Sequence, residues 1–103
     1  MSHLFRFLTT LHTSVIKAAI EEFSRVFARE VARFGITVNV IGPSPIMTDL
    51  IAKVSPEKIQ TLVNKMPLSR LGEFKDVENV IDFFASEASQ YITGQVIYLG
   101  GVS

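Results

Sequence analysis

Acid–base, nucleophilic and metal chemistry near neutral pH falls mostly to histidine, cysteine and tyrosine. This chain of 103 residues holds two, none and two of them. His3 and His12 have no metal-site spacing, and without cysteine there is neither a thiolate zinc site nor a disulfide. His12 titrates near neutrality, but nothing around it in the sequence positions it, and it reads as a surface histidine. Tyr91 and Tyr98 belong to a strand-like region near the end of the chain, where packing or a loop anchor accounts for a phenol. Asn39 lies in a β-branched run and reads as a side chain bonded to neighbouring backbone.

The elements that must position these residues follow from pattern. Residues 1–13 show no firm pattern and read as a poorly defined lead-in, for which helix is one reading. They lack a cleavage site after an apolar stretch and are not expected to be a signal peptide. From Ser14 onward, Ile16, Ile20, Phe23, Phe27, Val31 and Phe34 recur every three or four residues, one face of a long helix. Val15, Ala19 and Val26 add a second apolar stripe. Thr13 or Ser14 is the expected N-cap and Gly35 the expected left-handed end.

Residues 36–41 are β-branched and apolar, and predict a strand buried on both faces. Gly42-Pro43-Ser44-Pro45 then breaks regular structure. Thr48 and Asp49 suit a short helical turn. Ser55-Pro56-Glu57 begins a helix lined by Ile59, Leu62, Val63 and Met66 and stopped by Pro67. Residues 68–72 form a loop, and Val77, Val80, Ile81 and Phe84 mark a further helix to about Ser86. Thr93-Gly94 introduces a second strand within residues 92–99, ended by Gly100-Gly101. Helix, strand, helices, strand is an α/β order and predicts a right-handed βαβ unit.

Ten basic and ten acidic residues cancel, so nucleic acid and membrane surfaces have no electrostatic claim on the chain. No apolar run approaches the ~20 residues of a membrane span. The lack of cysteine suits the cytoplasm. Apolar residues make up 48% of the chain, with eight Phe, which is rich for so small a domain. Some of that surface is expected to meet a partner or further chain.

Several local strings carry more information than the element order. Lys17-Ala18-Ala19, Arg29-Glu30, Gly35-Ile36-Thr37-Val38-Asn39, Ile46 and Thr48 after a Pro-rich turn, Arg70-Leu71-Gly72-Glu73, Tyr91-Ile92-Thr93-Gly94-Gln95 and Gly100-Gly101 follow one another. In that order they resemble the C-terminal part of the short-chain dehydrogenase/reductase family over residues 14–103, with 1–13 unmatched. The resemblance implies part of a Rossmann-type, doubly wound parallel sheet, namely its last two strands and flanking helices. It implies NAD- or NADP-dependent chemistry on a carbonyl or alcohol.

Residue by residue, Lys17 matches the lysine of the family's Tyr-x-x-x-Lys, which holds the nicotinamide ribose and lowers the tyrosine pKa. Thr13 occupies the tyrosine position, and an aliphatic hydroxyl is a far weaker acid than a phenol of pKa about 10. Pro43 is followed by Ser44 where the family usually has glycine. The Ile46 backbone matches the contact to the nicotinamide amide, and the Thr48 hydroxyl the contact to amide or phosphates. Leu99 stands where an aspartate is frequent. The plainer readings are Lys17 as a solvated helix lysine and Thr13 and Thr48 as caps.

No run of residues matches the family's glycine-rich, phosphate-receiving turn; the six glycines are scattered at turns. The expectation is therefore a chain that neither holds the dinucleotide nor turns over alone, with a junction near residue 13. The alternatives are a non-catalytic module that pairs with itself or with a full-length relative, since the long helix and the last helix and strand build subunit interfaces in the family, or a truncated remnant without a function of its own.

Overall fold

The computed structural model describes residues 2–44, 46, 47 and 49–101, with side chains from Thr13 onward except that of Leu50. The chain divides into two compact units, Met1–Val40 with Ile92–Gln95, and Ile41–Tyr91 with Val96–Ser103.

The first unit is built on one helix, α1 (Ser2–Val31), followed by a 3-10 turn at Ala32–Phe34. The expected start near Ser14 is overturned. Thr13 and Ser14 lie inside α1 and do not cap it, because no glycine or proline precedes Gly35 and Leu4, Phe7 and Leu11 continue the three-to-four spacing. The expected end holds: Gly35 is left-handed at φ 73°, and its amide donates to the Ala32 carbonyl at 3.0 Å. Ser24 and Ala28 are the buried residues of α1 among those described. The Ser24 hydroxyl donates to the Ile20 carbonyl at 2.7 Å. Ile16, Ile20, Phe23 and Phe27 stay exposed, the last two with rings stacked at 5.9 Å.

The expected strand over 36–41 is reduced to β1 (Val40–Gly42), and Ile36 and Thr37 are exposed rather than buried on both faces. The reason lies in where the backbone bonds go. The Val38 amide donates to Thr93 Oγ1 at 2.9 Å and its carbonyl accepts from the Gly94 amide at 2.7 Å, so this stretch is bonded to a turn and not to a strand.

β1 pairs in parallel with β2 (Val96–Tyr98), which lies within the 92–99 segment expected to hold a strand. The α/β class and the parallel pair stand. Between the strands lie α2 (Asp49–Ala52), α3 (Pro56–Asn64) and α4 (Phe74–Ala85). Ser55 caps α3, its hydroxyl accepting from the Lys58 amide, with Pro56 at the first position as predicted. The helix ends at Asn64, before Pro67; the Lys65 and Met66 amides close tight turns onto Leu62 and Val63. Met66 and Leu71 are the buried apolar side chains described here, with Ser44 and Ser89. Among the described residues, no helix is long and apolar enough to cross a membrane, and no three His, Cys, Asp or Glu side chains gather as a metal site.

Candidate functional site

Thr13 and Lys17 sit one turn apart on a single face of the unbroken α1, Thr13 exposed and Lys17 half-buried. Further along that helix, Arg25, Ala28, Arg29 and Ala32 form one wall of a groove of about 270 Å³. The other wall is the turn Thr93-Gly94-Gln95. Asn39 clamps this turn from both sides: its Nδ2 donates to the Ile92 carbonyl at 3.1 Å and its Oδ1 accepts from the Gln95 amide at 3.1 Å. The Val40 amide also donates to the Gln95 carbonyl at 2.9 Å. Asn39 thus bonds neighbouring backbone, as its place in a β-branched run predicts. Gly94, at φ 71°, takes a conformation that side chains disfavour.

Pro43 and Ile46 belong to the second unit. Pro43 is exposed, Ser44 buried and Ile46 half-buried; Thr48 lies outside the described residues. Ile46 forms an isolated parallel bridge with Gly72, and the Met47 amide donates to the Gly72 carbonyl at 2.9 Å. Around this bridge lies a cleft of about 220 Å³ lined by Ser44, Ile46, Leu68, Arg70, Gly72, Asp76, Leu99 and Gly100. Ligand pockets run to roughly 300–1,000 Å³, and the cleft lined by the described residues lies below that range.

The charge at the cleft is an ion pair. Arg70 Nη1 donates to Asp76 Oδ2 at 3.0 Å and Nη2 to Oδ1 at 3.3 Å, a bidentate geometry. The hydrogen bond from Arg70, then that from the Glu73 amide, holds the Asp76 carboxyl below its ordinary range. The same bond, with the Asp76 charge, raises the Arg70 pKa. Glu73 and Asp76 also form a reciprocal cap at the start of α4. Neither the ion pair nor the cap is among the sequence expectations. The signal was present, however, as two acids three positions apart before an apolar repeat, Glu73 and Asp76.

Leu99 lines the cleft with its apolar side chain, and Gly100, at φ 72°, packs against Ser44. The expected site residues therefore fall into two groups, Thr13 and Lys17 in the first unit and Pro43 and Ile46 in the second.

A family model described as enoyl-(acyl carrier protein) reductase matches residues 7–103. The 3-oxoacyl-[acyl-carrier-protein] reductase FabG of Haemophilus influenzae is 40% identical over 85 residues, which is 82% of this chain and 35% of that protein. The proteins of the same name from Escherichia coli K12 and Staphylococcus aureus Mu50 are 39% and 38% identical over the same length and shares. The chain thus spans about a third of the length of these curated relatives.

Proposed function

We propose, from the premise that this chain belongs to the short-chain dehydrogenase/reductase family, that it is the C-terminal portion of an NAD- or NADP-linked oxidoreductase scaffold and performs no oxidoreduction of its own. The scaffold is assigned to residues 14–103 within a family match that runs over 7–103, and the lead-in before it continues into the same helix α1. The observation that carries the reading is Thr13, one helical turn before Lys17. Reducing a carbonyl requires a proton at the oxygen when the nicotinamide supplies its hydride. A phenol beside a lysine is a workable acid for that step. A threonine hydroxyl is not, and one neighbouring ammonium cannot bring it into range.

The remaining residues keep contacts without the chemistry. Lys17 offers a donor for a ribose hydroxyl, the Ile46 backbone a partner for a carboxamide, Pro43 a fixed turn and Thr48 a hydroxyl. The cleft volume supports a chain that does not hold the dinucleotide alone. The names of the curated relatives point to a 3-oxoacyl group on acyl carrier protein as the ancestral substrate, and the cytoplasmic setting is proposed from the cysteine-free sequence alone. The test is to mix the purified chain with NADPH or NADH and a 3-oxoacyl thioester and follow nicotinamide absorbance. No loss above buffer is expected; sustained turnover overturns the reading.

A second reading is favoured by the exposed apolar side of α1, with Phe23 at 70% and Ile20 at 49% exposure. It makes the chain a non-catalytic module that pairs with itself or with a full-length family member. Sedimentation of the chain alone, and co-purification with a complete relative, separate this from the first reading. A broad, uncooperative urea melt would instead favour a remnant.

A further inference from the structure

We infer that Arg70 and Asp76 are positioning residues for the Ile46–Met47 backbone, acting through the peptide groups on either side of Gly72. The functional weight of this inference rests on the reading of Ile46 as a cofactor-facing position.

The starting point is a single bridge. Met47 donates to the Gly72 carbonyl at 2.9 Å, and among the described residues this Ile46–Gly72 pairing is an isolated parallel bridge. Its geometry therefore depends on how firmly Gly72 itself is held. Glycine has the largest backbone freedom of any residue, so something other than a side chain must fix it.

Two planar peptide groups meet at Gly72, and each is bonded to one arm of the same ion pair. The carbonyl of Leu71, in the first plane, accepts from Arg70 Nη1 at 3.0 Å. The amide of Glu73, in the second plane, donates to Asp76 Oδ2 at 2.8 Å. A trans peptide points its N–H and C=O in opposite directions. Anchoring the Glu73 amide on Asp76 therefore aims the Gly72 carbonyl the other way, where the Met47 amide meets it. The Arg70–Asp76 pair, at 3.0 Å, ties the two anchors together. Neither side chain contacts Ile46 or Met47 in this scheme; both act through Gly72.

The experiment is amide hydrogen exchange by NMR on the full chain, wild type against Asp76→Asn, Arg70→Ala and Arg70→Lys. The Val40 amide, bonded to the Gln95 carbonyl, is the internal reference. Asp76→Asn and Arg70→Ala are expected to lower Met47 protection about tenfold, with Val40 changed by less than about twofold. Arg70→Lys keeps the charge and one donor and is expected to fall between. Unchanged Met47 protection overturns the inference, as does an equal loss at Val40, which would mark a general loosening. If Arg70→Ala does not fold, Arg70→Lys and Asp76→Asn decide the matter on the same two amides. Turnover by the wild-type chain would sink the reading of Thr13 and leave the Met47 result untouched, so the two fail separately.

Discussion

The two units reach order by different routes. The first relies on a helix of 30 residues whose described buried side chains are Ser24 and Ala28, both small, while Ile16, Ile20, Phe23 and Phe27 remain exposed. Its longer-range order comes from backbone and amide bonds between residues 38–40 and the 92–95 turn. The second has no helix longer than 12 residues among those described, and is fastened by a capped α3, a doubly anchored Gly72 and a close approach of Gly100 to Ser44. Local periodicity is enough to specify a long helix, whereas loops need particular partners far away in sequence. Substitutions should therefore cost most where a loop meets its partner and least on the helix face.

Two glycines of nearly equal φ break or uphold that contrast. Gly35, φ 73°, has nothing within 4 Å of an added Cβ, so Gly35→Ala meets only the backbone penalty of about 1 kcal/mol. Gly100, φ 72°, would place a Cβ 2.8 Å from Ser44 Cβ. Gly100→Ala should cost about 2–3 kcal/mol by urea midpoint, and adding Ser44→Gly should recover about 1 kcal/mol. Equal costs at Gly35 and Gly100 would mean that Ser44 does not pack there. Next in size is Asn39→Ala, which leaves the Ile92 carbonyl and the Gln95 amide without their partner and should cost about 2 kcal/mol. Asn39→Asp keeps an acceptor for Gln95 alone and should fall between. An Asn39→Ala protein as stable as wild type would show that the turn stands without its clamp.

The same contrast explains what could be read in advance. The apolar repeat from Ile16 to Phe34 and Gly35 after it show the body and end of α1 in the residues themselves, because a helix is held by bonds four residues apart. Its start is harder to read, because Thr13 and Ser14 are good caps that the structure places inside the helix, while the spacing of Leu4, Phe7 and Leu11 carries the repeat on before them. The first strand is shorter than the 36–41 run suggests, while the second lies within its 92–99 segment. Ile36 and Val38 have strand-like side chains, but Val38 bonds Thr93 and Gly94, a choice fixed by residues more than fifty positions away. At the candidate site, the strings that carry the family resemblance located Lys17, Ile46 and the 70–73 segment. What Arg70 does, pairing with Asp76 and bonding the Leu71 carbonyl, depends on how the loop folds back, which no spacing rule states.

The smallest expected effect tests how much the ion pair adds to the loop that uses it. Asp76 is held below the ordinary carboxylate range by Arg70 first and by the Glu73 amide second. A depressed folded pKa contributes stability above the unfolded value of about 3.9, and that contribution disappears as pH falls through the folded value. The wild-type chain should therefore lose stability on the acid side of that range, and Asp76→Asn should flatten that part of the profile. Side-chain exposures of 54% for Arg70 and 36% for Asp76 keep the effect modest and make it shrink with added salt. Urea midpoints across the acid range, at low and high salt, measure both. Superimposable acid limbs for wild type and Asp76→Asn would mean that the second unit is fastened by main-chain bonds alone, and the difference between the units would then lie in glycine placement rather than in charge.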